Sequence, residues 1–446
     1  MHQYGSAWRP LLAAAATLAV IATTGTTGAT TGTIGPMQAQ ELGCRPTEPN
    51  RAVCPRGAPL EEAAFIDPTV EIVEPESIHL GRRVYVAPFA RLIADSDAGI
   101  TIEEESNVQD NVTIIASFER GDEAEGRVRR ILRRDEGVEI ADRVILAHGA
   151  TVKGPAKIGV GGGDIIVDPD DDQEVFLSFG TEVDGAILER NTGVSALGRV
   201  GPGVTLKSGF IVLPGKNVTT QAQADDASLG KVRLLTEADV AFNEAVIEVN
   251  VAFAREYSRL HNERPSNVRG INFDPGHTPF NHDRDLPSFE GVERRIPGFR
   301  NRLIGDIDFA DSYPEAKAAM GDRISIRADE GEPFEIGRIR RMASNVIFHA
   351  LEETPIVVGN AVTYGGRVIV HGGGRDPIAG GGNNQETIVG SRVVLEARSV
   401  VFRSKIGDGS RVGFKSAVVA SSLPPNTVIP ARQVIVNNVF FGNVEW

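Results

Sequence analysis

The stretch IVGSRVVLEARSVVFRSKIGDGSRVGFKSAV, residues 388–418, carries an aliphatic side chain at every sixth position. The repeated positions are Ile388, Val394, Val400, Ile406, Val412 and Val418. This period differs from the period of two of a single strand and from the period of about 3.6 of an α-helix. A fixed short period is typical of stacked units that each bury one side chain at the same place. We therefore predict a β-helix of triangular cross-section, in which three hexads form one coil.

The same spacing recurs through most of the chain. Further runs are Ile72, Ile78, Val84 and Ala90; Ile102, Val108 and Ile114; Ile140, Leu146, Val152 and Ile158; and Val194, Val200, Leu206 and Val212. The 49 glycines and the 6% of aromatic residues suit a turn-rich architecture of small and β-branched residues. Ordinary strands with fortuitous spacing are the alternative, but the six consecutive matches near the C-terminus argue against it.

Two segments break the period. Residues 236–260 carry apolar residues at helical spacing, and Thr236 with Asp239 resembles a capping box. We predict one amphipathic helix there that packs along the coil. Residues 262–320 are rich in Pro, Asn, Gly, Asp and Arg and predict an irregular linker, which contains His277 and His282. The predicted domains are therefore 65–261 and 321–446, with the linker between them.

The first residues are typical of an export signal. Arg9 precedes an apolar run over residues 11–22, which is too short for a comfortable membrane span. We predict a signal peptide in residues 1–40, an N-terminal segment over 41–64, and a periplasmic or extracellular location. An uncleaved anchor is the alternative. In an oxidising compartment Cys44 and Cys54 could form a disulfide.

The overall charge of the chain argues against some classes of binding partner. Acidic residues outnumber basic ones by 60 to 46, which gives a net charge of −14. A nucleic-acid-binding protein usually presents a basic face, so we expect no nucleic-acid partner. After removal of the signal peptide we also expect no membrane partner.

Several motifs between residues 65 and 260 resemble those of the gamma-class carbonic anhydrases. They are FIDPT (65–69), SNVQDNV (106–112), ILAH (145–148), VTTQAQAD (218–225) and NEAV (243–246). The resemblance implies a mainly β fold: a left-handed parallel β-helix followed by an α-helix, assembled as a trimer. It also implies zinc or iron held by three histidines, two from one subunit and one from its neighbour.

This first copy departs from the family at the metal. Its slots for the first, second and third ligands are Ile115, His148 and Lys153, and Ile93 replaces the family's arginine. Isoleucine has no donor atom, and a protonated lysine repels a cation. One imidazole does not make a catalytic zinc site, which needs about three protein ligands.

A second copy resembles the same family from about residue 320, without the helix. The segments IRADEG (326–331), VIFHALE (346–352) and VTYGGRVIVHG (362–372) carry the likeness. The first and third ligand slots are His349 and His371, whereas the second is Gly366. Arg341 and Ala343 stand where the family has its Asn and Gln.

The losses in the two copies are complementary. The first copy keeps His148, and the second keeps His349 and His371. If the copies pack side by side like adjacent subunits, these histidines complete one composite three-histidine site for Zn2+ or Fe2+. We expect reversible hydration of CO2 to bicarbonate there, and a homo-oligomer or a pseudo-trimer of β-helix domains.

The resemblance also assigns roles around the metal. It makes Glu352 the proton shuttle with Glu330 as its partner, and Gln109 the group that orients hydroxide with help from Asn107. Asn250 falls on a further active-site slot. It leaves the interface to Arg327, with Asp110 or Asp329 as its carboxylate.

Two other functions use the same fold. A hexapeptide-repeat acyltransferase needs one histidine as general base and no metal, but the sequence shows no dedicated coenzyme A site. A non-catalytic β-helical scaffold for assembly needs none of the three histidines. The carbonic anhydrase needs all three.

Overall fold

The computed structural model describes residues 59–162, 174–263, 271–273, 292–294, 300–305, 307–330, 333–351, 354–373 and 386–446. The predicted signal peptide, the Cys44–Cys54 pair, His277, His282 and Glu352 lie outside these residues. Residues Glu41–Trp446 form one compact unit. Among the described residues, no helix has the length and apolar character that crossing a bilayer requires.

The first β-helix has three sheets, as a triangular coil requires. Sheet 1 comprises Phe65–Ile66, Tyr85–Val86, Asn107–Val108, Val144–Leu146, Val175–Leu177, Thr192–Val194, Phe210–Val212 and Val232–Leu234. Sheet 2 comprises Glu71–Val73, Arg91–Ile93, Thr113–Ile115, Thr151–Lys153, Glu182–Asp184, Arg199–Val200 and Asn217–Val218. Sheet 3 comprises Ile78–Leu80, Ile100–Ile102, Val138–Ile140, Ala156–Ile158, Ile187–Leu188 and Thr205–Leu206.

The second β-helix repeats this plan. Sheet 4 comprises Arg302–Gly305, Ser325–Ala328, Ile347–Ala350, Ile369–Gly372, Val400–Phe402, Ala417–Val419, Gln433–Val436 and Val439–Asn443. Sheet 5 comprises Ile307–Phe309, Phe334–Ile336, Ile356–Val358, Thr387–Val389, Lys405–Ile406 and Ser422–Leu423. Sheet 6 comprises Ile339–Met342, Val362–Tyr364, Val394–Leu395, Arg411–Val412 and Val428–Ile429.

Neighbouring strands are parallel within all six sheets except at the last strand of sheets 1 and 4. Val232–Leu234 and Val439–Asn443 run antiparallel to their neighbours and close those two sheets. A separate antiparallel pair joins Ile271–Phe273 to Val292–Arg294. The chain is therefore mainly β and contains two parallel β-helices.

The helices are few. The short ones are Asp122–Val128, Gln221–Asp225 and Tyr313–Ala319, with 3-10 turns at Leu60–Glu62, Pro75–Ser77, Arg134–Glu136 and Ala227–Leu229. The long helix, Glu237–Glu263, begins where the sequence predicts it and extends slightly further. The Asp239 carboxylate accepts from the Thr236 backbone N–H at 2.7 Å, and the Asp239 backbone N–H donates to the Thr236 hydroxyl at 3.4 Å, as a capping box requires.

The hexad positions of the first β-helix fill its interior. Val84, Val108, Leu146 and Val194 are all fully buried in one apolar cluster with the other inward residues. Each coil adds a layer to this core, and burial of the aliphatic side chains supplies the main driving force for stacking. The predicted period therefore describes the inward face of this domain.

Over the first half of residues 388–418, each inward residue lies one position later than the sequence predicts. The inward residues there are Val389, Leu395 and Val401. Ile388 and Val394 are half-buried, and Val400 faces the first β-helix. From Val401 to the next inward residue, Ile406, the chain takes five residues instead of six, so the corner is shorter and the predicted phase becomes correct from Ile406 onward.

The second β-helix also begins earlier than predicted. Strand Arg302–Gly305 pairs in parallel with Ser325–Ala328, and Ile307–Phe309 pairs with Phe334–Ile336. The helix Tyr313–Ala319 is inserted between these strands and the next coil, which hides the hexad spacing in the sequence. Residues 302–320 therefore belong to the β-helix and not to a linker.

Sheet 1 packs against sheet 4, and the long helix covers the junction. One apolar cluster contains Ile145 of sheet 1, Ile347 and Ile369 of sheet 4, and Phe242 and Val246 of the long helix. A second cluster joins the long helix to the first strands of both sheets. The two repeats thus share a buried interface, and outward residues of sheets 1 and 4 meet there.

Candidate metal centre

Two columns of side chains face each other across the interface. In sheet 4, the parallel register aligns Arg327, His349, His371, Phe402, Val419 and Val436 on successive coils. In the first β-helix, the second residue after each strand of sheet 1 gives the column Asp110, His148, Phe179 and Ala196. Both columns therefore change from charged residues to imidazoles and then to apolar side chains.

The three predicted metal-binding histidines meet at this interface. His148 Nε2 lies 3.1 Å from His349 Nδ1, and the same His349 nitrogen lies 3.3 Å from His371 Nε2. Candidate ligand atoms of the three residues all lie within 4.8 Å of one another, and all three side chains are buried. Within the described ranges, no other group of His, Cys, Asp and Glu is close enough to hold a metal ion.

The donor set fits a tetrahedral metal ion. Zinc–nitrogen bonds of about 2.0–2.1 Å at tetrahedral angles separate ligand nitrogens by roughly 3.3–3.4 Å. The spacings of 3.1 and 3.3 Å are close to this value. Burial lowers the pKa of His148 to about 4 and holds the pKa of His371 well below its usual value, so both rings are neutral at pH 7. Two neutral imidazoles whose nitrogens converge on His349 Nδ1 in this way are suited to bind a cation together with it.

Carboxylates support two of the rings from behind. His148 Nδ1 lies 3.1 Å from Asp110 Oδ2, and His349 Nε2 lies 3.1 Å from Glu330 Oε1. Burial and the Arg327 charge oppose protonation of His349, but Glu330 and Asp329 outweigh them and raise its pKa. Metal-binding histidines commonly have such a carboxylate at the second ring nitrogen, which fixes the ring orientation.

Arg327 ties these carboxylates into one buried network. Its Nη2 donates to Asp110 Oδ2 at 2.9 Å, and its Nη1 donates to Asp329 Oδ2 at 2.6 Å. Tyr257 of the long helix donates to the same Asp329 oxygen at 2.6 Å, and Ser325 donates to Asp110. Burial opposes ionisation of Asp110, but the Arg327 charge and His148 hold its pKa well below the usual range.

Two of the predicted amide side chains lie on the same face of the first β-helix. Asn107 pairs with Ile145 on the strand that leads into His148, and both its side-chain polar atoms are buried without a hydrogen-bond partner in the described part of the chain. Gln109 is buried one residue before Asp110. Asn250, on the long helix, donates its amide to Val246 O at 2.8 Å.

The two slots of the first copy that lost their ligands lie on a different face. Ile115 and Lys153 are neighbours in sheet 2, beside Ile93 at the lost arginine position, whereas His148 follows a strand of sheet 1. Lys153 donates to Glu182 at 2.9 Å. An ion pair therefore stands where the first copy alone would need a third histidine.

The aromatic neighbours of the histidines were not predicted. The Phe179 ring is stacked on His148 with centroids 5.9 Å apart, and it lies 4.8 Å from His371. Phe402 lies 5.4 Å from His371. Each follows its histidine by one coil but 31 positions later in the sequence, whereas His371 follows His349 after 22, so a fixed count along the chain does not find them. Coil-by-coil alignment of the outward residues is the signal that would have identified them.

Known proteins support this family likeness. The carbonic anhydrase of Methanosarcina thermophila is 29% identical to this chain over 209 residues, which cover 46% of this chain and 76% of that enzyme. The carboxysome assembly protein CcmM of Nostoc sp. is 26% identical over 147 residues, 31% of this chain but only 23% of CcmM. CcmM of Synechocystis sp. is 29% identical over 150 residues, 31% of this chain and 19% of CcmM. This chain is thus homologous to gamma-class carbonic anhydrases and to a minor part of CcmM.

Comparisons with family models and with solved structures add no further support for a function. No protein-family model matches the chain. A solved structure from Desulfovibrio desulfuricans G20, described as a candidate acetyltransferase, covers 82% of this chain and 66% of its own at 10% identity. Its TM-score of 0.21 is too low to support any conclusion about this chain.

Proposed function

We propose that this homologue of the gamma-class carbonic anhydrases hydrates CO2 reversibly at one composite site. His148 of the first β-helix and His349 and His371 of the second would hold the metal. The convergence of their ring nitrogens at 3.1 and 3.3 Å, across an interface between two repeats, is the observation that carries the proposal. The likeness to the Methanosarcina thermophila enzyme supports the reaction type.

A divalent ion such as zinc or iron would supply Lewis-acid chemistry, since it lowers the pKa of a water ligand to about 7. Asp110 and Glu330 hold the His148 and His349 rings in the orientation that directs the other ring nitrogen inward. Arg327 keeps Asp110 ionised, so this support persists at neutral pH.

Carboxylates of the second β-helix would transfer protons between the site and solvent. By its family position, Glu352 would be the proton shuttle. Glu330, which is largely buried and lies 3.1 Å from His349 Nε2, would be its partner and also supports the His349 ring. Asn107 and Gln109 would orient water or bicarbonate through their amides, and the buried, unpaired amide of Asn107 is suited to that task.

The test measures metal content and CO2 hydration together. We expect about one zinc or iron per chain after anaerobic purification. His148→Ala and His349→Ala should lose both the metal and the stopped-flow hydration of CO2, because each removes a third of the ligands. His79→Ala is the matched control, since His79 is exposed on sheet 3 and should leave both unchanged.

One outcome would overturn the proposal. If the wild-type protein binds neither zinc nor iron after loading, the three histidines are a buried cluster without a catalytic metal. A non-catalytic β-helical scaffold would then be the better description of the chain.

A further inference from the structure

A small cavity lies directly beyond the histidines in both columns. We name it the phenylalanine chamber; its volume is about 50 Å3. Its principal lining residues are Phe179, Ser195, Ala196, Phe242, Phe402 and Val419. It therefore lies where sheet 1, sheet 4 and the start of the long helix meet.

The side chains of the two columns explain why space remains there. On the first β-helix, Phe179 is followed one coil later by Ala196, and on sheet 4, Phe402 is followed by Val419. Gly193, on the strand of sheet 1 that leads to Ala196, also lines the chamber and adds no side chain to it. On both sides of the interface, a phenylalanine is thus replaced by a smaller side chain on the next coil.

Two aromatic rings separate the chamber from the metal centre. Phe179 and Phe402 lie 5.1 Å apart, and both line the chamber. The same two rings contact His371 at centroid distances of 4.8 and 5.4 Å. A molecule in the chamber is therefore one side-chain layer from the third histidine.

The chamber approaches solvent at part of its lining. Phe176 and Leu235 line it and are only half-buried. The carboxylates Asp110, Asp329 and Glu330, by contrast, contact the histidines at other ring nitrogens and follow the charged end of the columns. The metal centre thus has a charged side and an apolar side.

The chemistry of the lining residues limits the class of ligand that the chamber can bind. The walls are mainly apolar. The polar residues that line them are Ser178, Ser195, Asp239 and Asn243, and the Asp239 carboxylate is already bonded to Arg233 and Thr236. The Ser195 hydroxyl is buried and has no hydrogen-bond partner in the part of the chain that the structure describes. A water needs about 10–15 Å3 of such volume and 2–4 polar partners, so waters filling this chamber would be poorly held. A small apolar molecule with weak acceptor atoms fits better.

We propose that the phenylalanine chamber binds CO2 and admits it to the histidines between Phe179 and Phe402. This inference rests on the proposed function. CO2 is linear and without a net dipole, so the aromatic walls suit its body, and the Ser195 hydroxyl can donate to one of its oxygens. Bicarbonate is charged and would not be stable among these rings without a partner. The chamber would thus favour entry of CO2 over return of the product.

The first experiment tests the chamber alone, with xenon as the probe. Xenon enters dry apolar cavities. Crystals of the metal-loaded protein under xenon pressure should show one atom in the chamber. Ala196→Leu should exclude it by filling the space, and Val419→Ala should raise its occupancy. An absence of xenon in the wild-type chamber, or unchanged binding in Ala196→Leu, would overturn the inference.

The second experiment links the chamber to catalysis. Ala196→Leu should lower kcat/KM for CO2 hydration severalfold while the metal content stays at the wild-type value. Ala431→Leu, which adds the same atoms at an exposed corner, is the matched control. Wild-type kinetics in Ala196→Leu would contradict a role in CO2 entry. If xenon binds but the metal-loaded wild type does not hydrate CO2, the proposed function fails while the chamber remains a site for small apolar molecules.

Discussion

At the residue scale, buried charges cross the interface in pairs. Arg302 donates to Asp67 at 3.0 Å, and Arg327 donates to Asp110 at 2.9 Å; all four side chains are almost fully buried. Both arginines belong to the second β-helix and both aspartates to the first. A charge left without its partner in such a place is costly, so each pair holds the two repeats in one register.

Asp110 should control metal affinity through His148. In Asp110→Asn the group 3.1 Å from His148 Nδ1 loses its charge, and the ring is held less firmly. Loss of such a supporting carboxylate typically weakens metal binding about 10–100-fold. Zinc competition titrations would measure this. Asp67→Asn is the control, because Asp67 contacts Arg302 and no ligand histidine; an equal loss of zinc affinity there would mean that the effect is only structural.

Arg302 should contribute to stability without affecting the metal. Arg302→Met leaves Asp67 buried and unpaired, and breaking a buried pair in this way costs about 3–5 kcal/mol. Urea unfolding would measure the loss. The double variant Arg302→Met/Asp67→Leu should recover much of it, because no buried charge remains. A single variant as stable as wild type would show that the pair contributes nothing.

At the element scale, the long helix joins the two β-helices. Phe253 and Tyr257 pack beside Tyr85 of sheet 1, and Tyr257 also donates to Asp329 of the second repeat. The Phe253 ring lies 6.4 Å from His349. The helix therefore supports the candidate metal centre and the phenylalanine chamber from the same side.

The start of this helix should depend on Asp239. Its carboxylate bonds to Thr236 and accepts two hydrogen bonds from Arg233 at 2.8 Å each. Asp239→Ala should cost about 0.5–2 kcal/mol, as expected for the loss of a capping interaction. Hydrogen exchange should become faster in the first turn, whereas Glu237→Ala, an exposed change in the same turn, should have little effect. Unchanged exchange in Asp239→Ala would contradict this role.

At the scale of the whole molecule, the C-terminal residues bind across onto the first β-helix. The Glu445 backbone N–H donates to Gly215 O at 2.9 Å, and the Trp446 indole donates to Leu197 O at 2.7 Å. The Glu445 carboxylate accepts from the Asn217 backbone N–H at 3.0 Å and pairs with Lys231. The last residues of the second repeat thus close the interface at the end opposite the arginine pairs.

This closure should weaken in acid. Burial opposes ionisation of Glu445, but Lys231 and the Asn217 N–H lower its pKa below the ordinary 4.5. As pH falls, the unfolded chain therefore takes up this proton first, and the stability that the group contributes above pH 4.5 is lost. As pH falls from about 6 to well below 4.5, wild type should lose more stability than Glu445→Gln does, as measured by urea unfolding at each pH. Equal losses in both proteins would contradict the assignment.

The sequence by itself determined the coil and the three candidate ligand histidines. The aliphatic hexads identify the inward face of the first β-helix and, from Ile406 onward, that of the second, since an inward position accepts only apolar side chains in every coil. The motifs around His148, His349 and His371 could also be found in the sequence, because two aligned copies reveal which slot each copy has kept. The capping box at Thr236 is equally local, since it involves residues within one turn.

Only the tertiary structure decided how the outward residues meet. Whether His148 approaches His349 depends on the packing of sheet 1 on sheet 4, which joins residues about two hundred positions apart. The order Arg327, His349, His371 and Phe402 emerges only when coils of unequal length are stacked in register. The early start at Arg302, the phase slip before Ile406 and the phenylalanine chamber all escaped prediction for this reason: inserted or missing corner residues alter the count along the chain without disturbing the hydrogen-bonded stack.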